Sequence, residues 1–272
     1  MRQITMLCHA VQYDIRIGIR KRWYNYLLLL IPLTLLVLDM QRKFELYQTN
    51  LSFFNLLAGL FLGCKEYDKS MGSSFEIPLS YMSFLLFNAL INGWYPRREM
   101  SKRGSLSMMR MGDEKIWWYS KCIWGIINAF QFVILITAAV FIVHIFVGTG
   151  QVGIDDTICY LADIPVKNQN NMCIIIYTLC SGFFTFSVLN QLQIFLQLIL
   201  SPVVAMVVHI VIMVLSAFDF QIYYVGNYIM LLRSSVCRND GISFGIITLI
   251  CTAVWICCML AGRFYMLKRD IL

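Results

Sequence analysis

Charge is what this sequence is short of. Only 14% of its 272 residues are Asp, Glu, Lys or Arg, while 59% are apolar. An average soluble domain is about 25% charged and about 45–50% apolar. That shortage excludes a compact soluble monomer, and the mean hydropathy of +0.69 points the same way. Motifs of catalysis are missing as well. No Lys is preceded by Gly and followed by Ser or Thr, so there is no phosphate-cradling P-loop. GTGQVG at 148–153 lacks the lysine and closes an apolar run. HExxH and paired acids within a span do not occur. The three histidines, His9, His144 and His209, stand far apart, and the latter two sit in apolar runs where a hydrogen-bonded packing role is expected. With no nucleophile, base or metal set, the chain is not expected to be an enzyme.

Ten cysteines are present, but not as a disulfide framework. Cys122, Cys173, Cys180, Cys251, Cys257 and Cys258 lie in or beside apolar runs, where a thiol behaves as a small hydrophobe. Cys64, Cys159 and Cys237 fall in segments read as outside, an odd and irregular set. No bridge pattern and no metal site is expected. The net charge of +7 does not call for nucleic acid, because the basic residues flank apolar runs and so set topology.

What is present is a series of charge-free stretches. A helix crosses the roughly 30 Å hydrocarbon core with about 20 apolar residues, and a central charge costs about 2.5–3.5 kcal/mol on insertion scales. The stretches are Trp23 to Leu38, Ile77 to Pro96, Cys122 to Ile154, Asn168 to Ala217 and Gly241 to Gly262. The fourth is long enough for two helices, with a turn before Pro202. The fold class is therefore all-α polytopic membrane protein, one transmembrane domain over 1–272. Six spans are expected at 23–39, 77–96, 122–147, 172–198, 203–218 and 241–262. The first reads as an anchored span, not a cleaved signal, since no small-x-small site follows it.

The segment Leu46 to Cys64 is also uncharged. Counting it as a seventh span would put the basic residues between Arg97 and Lys121 outside. With six spans and both ends in the cytoplasm, the inner segments hold 15 of 22 basic and 5 of 15 acidic residues. Leu46–Cys64 is accordingly read as a re-entrant or interfacial outer helix. The first 22 residues repeat Ile4, Leu7, Val11, Ile15 and Ile19 at helical spacing, with Arg16, Arg20 and Lys21 elsewhere. This predicts an amphipathic helix on the inner membrane surface, with membrane lipid as its partner. The cytoplasmic loop 97–121 ends in Trp117-Trp118-Tyr119, expected in the interfacial aromatic belt. Its charge suits either a plain solvated loop or a short helix docking on a cytoplasmic partner.

Three segments carry a family resemblance: NLLAGLFLGCKEYDKSMGSSFEIPLSYM at 55–82, GWYPRREM at 93–100 leading into RMGDEKIWWYSKCIWG at 110–125, and the tail LKRDIL. With them the chain resembles permease subunits of bacterial ABC transporters of the exporter-like type-2 kind, in a bacterial cell membrane. The resemblance implies a dimer with a second permease subunit, the same or a sister chain. It also implies a separate cytoplasmic ABC ATPase subunit, which holds ATP and Mg; this chain itself holds no cofactor. Carried over, 97–121 is the coupling loop, with Arg97, Arg98, Arg103, Arg110, Asp113 and Glu114 as ATPase contacts. Asn190, Gln191, Gln193 and Gln197 could line a path for a peptide, drug-like or amphiphilic substrate, although hydrogen bonding between helices explains that row equally well. The alternative is a membrane scaffold or sensor that binds a cytoplasmic partner without transport. Secondary transport is disfavoured, because Asp39, Glu76 and Asp219 stand at span ends and not mid-membrane.

Overall fold

Apolar runs without charge can satisfy their backbone in a membrane by coiling, and the computed structural model of the chain is mostly helical among its described residues. It describes residues 2–46, 52–64, 78–93, 95, 114–147 and 171–268, and among these there is no sheet. We number its α-helices α1 (Arg2–Asp14), α2 (Trp23–Leu46), α3 (Phe53–Leu60), α4 (Leu79–Asn92), α5 (Glu114–Val147), α6 (Asn171–Ile199), α7 (Pro202–Phe218) and α8 (Phe244–Lys268). Four of them, α2, α5, α6 and α8, are long and apolar enough to cross a membrane. The chain is thus an all-α, multi-pass membrane protein. The shorter apolar helices α4 and α7 have 14 and 17 residues, about 21 and 26 Å at 1.5 Å per residue.

Helix α6 is the centre. In its most apolar stretch 61% of residues are buried, against 11% in α2 and 17% in α8. It packs on α5, α8, α4 and α7. The outer helices turn large apolar side chains away from the protein: Leu28, Ile31 and Leu35 on α2, Val207 and Val211 on α7, Leu249 and Phe264 on α8. Such an apolar exterior suits lipid rather than water. Pro202 opens α7 at its first turn, where a missing N–H costs nothing, and the Ser201 side chain accepts from Val204 N.

Segment Leu46–Cys64 resolves into α3, a single short helix. Ser52 caps it by accepting from Asn55 N, and every residue from Asn55 to Leu60 is buried. It is inserted among α2, α5 and α6 instead of lying on a surface. After it, Gly63 takes φ 77°, a backbone conformation that favours glycine. Here the chain pairs with a later segment, Leu231 N donating to Phe61 O at 2.8 Å and Leu232 N to Leu62 O at 3.1 Å. That later segment holds two 3₁₀ turns, Val225–Ile229 and Leu231–Arg233, and with α3 it closes one end of the bundle.

Four expectations need amending. Residues 114–121, assigned to the loop, form the first two turns of α5, and α2 continues past residue 39 to Leu46. Trp117 and Trp118 are fully buried, not interfacial. Trp118 donates from Nε1 to Met259 O at 2.8 Å and lies over Gly262, where a Cβ would stand 2.1 Å from Trp118 Cζ2. His209 is buried on α7 with neither ring nitrogen hydrogen-bonded among the described residues, so its packing role is apolar. Replacing Gly262 by Ala forces the Trp118 ring to move, and a loss of about 1–3 kcal/mol is expected. Thermal unfolding of the purified chain in mild detergent measures it; an unchanged midpoint would show that the two helices do not meet there.

Candidate functional site

Amide side chains recur along the inner faces of three helices, and they meet. Asn190 of α6 is the junction. Its Oδ1 accepts from Asn88 Nδ2 at 2.7 Å and from Asn92 Nδ2, and its own Nδ2 donates to Gly125 O at 3.1 Å. Asn92 Oδ1 in turn accepts from Asn128 Nδ2 at 2.7 Å, and Tyr26 OH donates to Asn128 Oδ1 at 2.8 Å. Gln193 donates to Ala89 O at 2.9 Å, and Gln191 to Cys122 Sγ at 3.1 Å. Gln197 reaches Asn92 O and Gly93 O at 3.2 and 3.1 Å. Asn88, Asn92, Asn128, Asn190, Gln191, Gln193 and Gln197 are all buried.

The row Asn190, Gln191, Gln193 and Gln197 therefore stands inside the bundle, its amide nitrogens bonded to α4 and α5. These bonds are the glue that apolar packing alone cannot give helices in lipid. The sequence reading missed Tyr26, Asn88, Asn92 and Asn128, although Asn88 and Asn92 stand four apart in an apolar run and so share one helical face.

A second cluster stands where the loop begins and ends. Lys121 of α5 forms an ion pair with Asp14 of α1, both side chains 1% exposed. Asp14 Oδ1 also accepts from Tyr95 OH at 2.8 Å. The Lys121 ammonium lies 4.8 Å from the Tyr95 ring centre and 5.2 Å from that of Trp117, both within cation–π range. Burial of both charges makes the pair costly to break from one side, about 3–5 kcal/mol. The available signal was Ala10, Asp14 and Gly18 at four-residue spacing: these are the buried positions, while Ile4 and Ile15 of the expected apolar stripe are exposed.

Of the expected ATPase contacts, Glu114 opens α5 and is half-buried. Arg97, Arg98, Arg103, Arg110 and Asp113 lie outside the described residues. So does the GTGQVG run at 148–153.

A third cluster surrounds Arg233, also buried. Its guanidinium donates to the last carbonyls of α7, Ser216 O and, at 2.7 Å, Ala217 O, to Asp219 O at 3.3 Å, and to Asn227 Oδ1. A cation here complements the negative end of the helix. Its Nε donates to Cys64 O at 3.3 Å, tying α7 to the turn after α3. Arg233 thus caps the C-terminal end of α7.

Finally, an apolar cleft of about 710 Å³ opens between α3, α5 and α6, lined by Phe53, Phe130, Ile134, Phe141, Leu179 and Phe183. Among the described residues no three His, Cys, Asp or Glu side chains gather as a metal site requires. Compared with known protein families, with curated proteins and with solved structures, the chain matches none.

Two outcomes are expected. Asn190→Leu removes three hydrogen bonds and Gln193→Leu one, so the first should cost about 2 kcal/mol or more and the second well under that. Denaturant titration in detergent compares them; equal losses would refute the junction. Burial pushes the Cys64 thiol above its ordinary range, outweighing the opposing pull of Arg233. Less thiolate then exists near neutrality, so alkylation of Cys64 by iodoacetamide should lag that of exposed Cys8 and still be rising at pH 9. A plateau below pH 8.5 would contradict this.

Proposed function

We propose that this chain is the permease subunit of an ATP-driven ABC exporter, with six spans and both ends in the cytoplasm of a bacterial cell. In this reading α4 and α7 are the two shorter spans, and two permease subunits pair. A cytoplasmic ATPase carrying ATP and Mg docks on the loop 97–113, which α4 delivers and α5 receives.

The observation that carries the reading is the construction of the loop's two ends. Asn92 and Gly93 on the entering side are gripped by Gln197. Tyr95, two residues before the loop, and Lys121, on the helix that leaves it, share the carboxylate of Asp14. A plain solvated loop needs no such footing; a loop that receives force does, because force at its tip passes to the spans only if its base is stiff. The basic character of 97–121 and the segments at 93–100 and 110–125 agree with this role.

An amphiphilic substrate suits the apolar cleft better than the amide row, whose nitrogens are already engaged within the bundle. Chemistry is expected in the partner and not in this chain.

The competing reading, a scaffold or sensor without transport, uses the same loop as its docking surface. Mild-detergent capture of the tagged chain from its native membrane separates them. The permease reading expects a co-purifying P-loop ATPase whose recovery falls at least about tenfold when Arg110, Asp113 and Glu114 are replaced by Ala, a loss equivalent to about 1.4 kcal/mol of binding. Capture of another protein with no ATP hydrolysis would favour the scaffold.

A further inference from the structure

Helix α1 is joined to α2 without a loop. After Asp14 the chain passes through a π-turn at Ile15–Ile19 and a 3₁₀ turn at Arg20–Arg22 before α2 begins at Trp23. Such interruptions within a continuous helix mark places where it bends. On one side of this joint stands α2, packed on α5 and bonded to it through Tyr26 and Asn128. On the other stands α1, which also packs on α5.

The buried positions are Ala10 and Asp14 of α1 and Gly18 of the joint, and the last two meet α5 at Lys121 and Trp124. Gly18 lets the backbones approach, since a Cβ there would stand 2.6 Å from Trp124 Nε1. Ala10 contributes a single methyl. Asp14 brings the charge at this contact, and Lys121 meets it. Asp14 Oδ2 is buried with no hydrogen-bond partner among the described residues, so the carboxylate depends on Oδ1, where Lys121 and Tyr95 converge. A carboxylate held so one-sidedly stays buried only while the ammonium stays with it.

We propose that Asp14 and Lys121 are positioning residues that latch α1 to the base of the 97–113 loop, so that a partner bound to the loop moves α1 about the 15–22 joint. The inference rests on the docking role given to the loop above and extends it. The loop's force reaches the first span through α1, as well as α4 and α5 directly. Lys121 stands two turns beyond the loop on α5, and Tyr95 just before it on the other side. A displacement of either arm therefore moves the partner of Asp14. With α2 fixed to α5 by Tyr26, the π and 3₁₀ turns are where the chain between α1 and α2 can yield.

The test is backbone hydrogen exchange on the full chain in lipid nanodiscs. Lys121→Met should speed exchange in 2–14 at least about tenfold, given the cost of an uncompensated buried charge, with 175–195 of α6 unchanged as the control for folding. The swap Asp14→Lys with Lys121→Asp should return α1 to within about threefold of the parent, since the pair is restored. Tyr95→Phe, which deletes only the hydroxyl, should give an intermediate effect and keeps the test open if Lys121→Met does not fold. Unchanged exchange of α1 in all three variants would overturn the latch.

Adding the co-purified ATPase supplies the second arm. Exchange in α1 and in 114–121 should change together in the parent chain, and only in 114–121 in Lys121→Met. An α1 indifferent to bound ATPase in the parent would overturn the latch while leaving the permease reading intact. Failure to recover any ATPase would count against that reading alone, and the variants would still decide whether the latch exists.

Discussion

A polar side chain inside a bundle of apolar helices has no water to fall back on, and every feature of this protein that is more than greasy packing follows from that. An amide or carboxylate so placed must find a partner on another helix or be left at a cost of about 1–3 kcal/mol, more if charged. Asn190 meets the requirement through α4 and α5 at once, Asp14 through α5 and Tyr95, and Arg233 through the end of α7 and the turn after α3. Hydrocarbon tails are as apolar as leucine, so packing by itself gives the helices little reason to choose one register over another. The polar contacts make that choice.

Those contacts are unevenly distributed. The amides of α6 and the Asp14–Lys121 pair gather around the last turns of α4 and the first turns of α5, the two helix ends that flank residues 97–113. At the other end Arg233 seals α3 against the segment after α7. Between them the outer faces of α2, α7 and α8 carry mostly large apolar side chains. Tied helix ends beside residues 97–113, a sealed far end and an apolar cleft open between α3, α5 and α6 are the features on which the proposed function rests.

How much of this could be read from the sequence depended on how local the cause was. The helices α2, α5, α6 and α8 follow from uninterrupted apolar runs, a property of neighbouring residues, and were legible. Leu46–Cys64 was legible as an uncharged segment that is not a span, because counting it would put the basic residues between Arg97 and Lys121 outside; that α3 would be buried among α2, α5 and α6 was not. The amide row on α6 was visible as polar letters in an apolar stretch, but whether it faced a path or other helices turned on Asn88, Asn92 and Asn128, which lie 36 to 102 residues away from their partners. The pair Asp14–Lys121 joins residues 107 apart, and no spacing rule brings them together. Trp117 and Trp118 misled for a physical reason: beside a basic loop, tryptophan usually marks the membrane surface, and only Gly262 on α8 shows that one of these rings is covered.

The end of α4 and the hub helix α6 are joined by hydrogen bonds between buried amides. A double-mutant cycle on Asn92 and Asn190, each replaced by Leu singly and together, measures that join directly by denaturant titration in detergent. A favourable interaction free energy of about 0.6–1.7 kcal/mol between the two positions is predicted. Strictly additive losses would mean that the two amides do not bond, and would contradict the footing on which the proposed coupling stands.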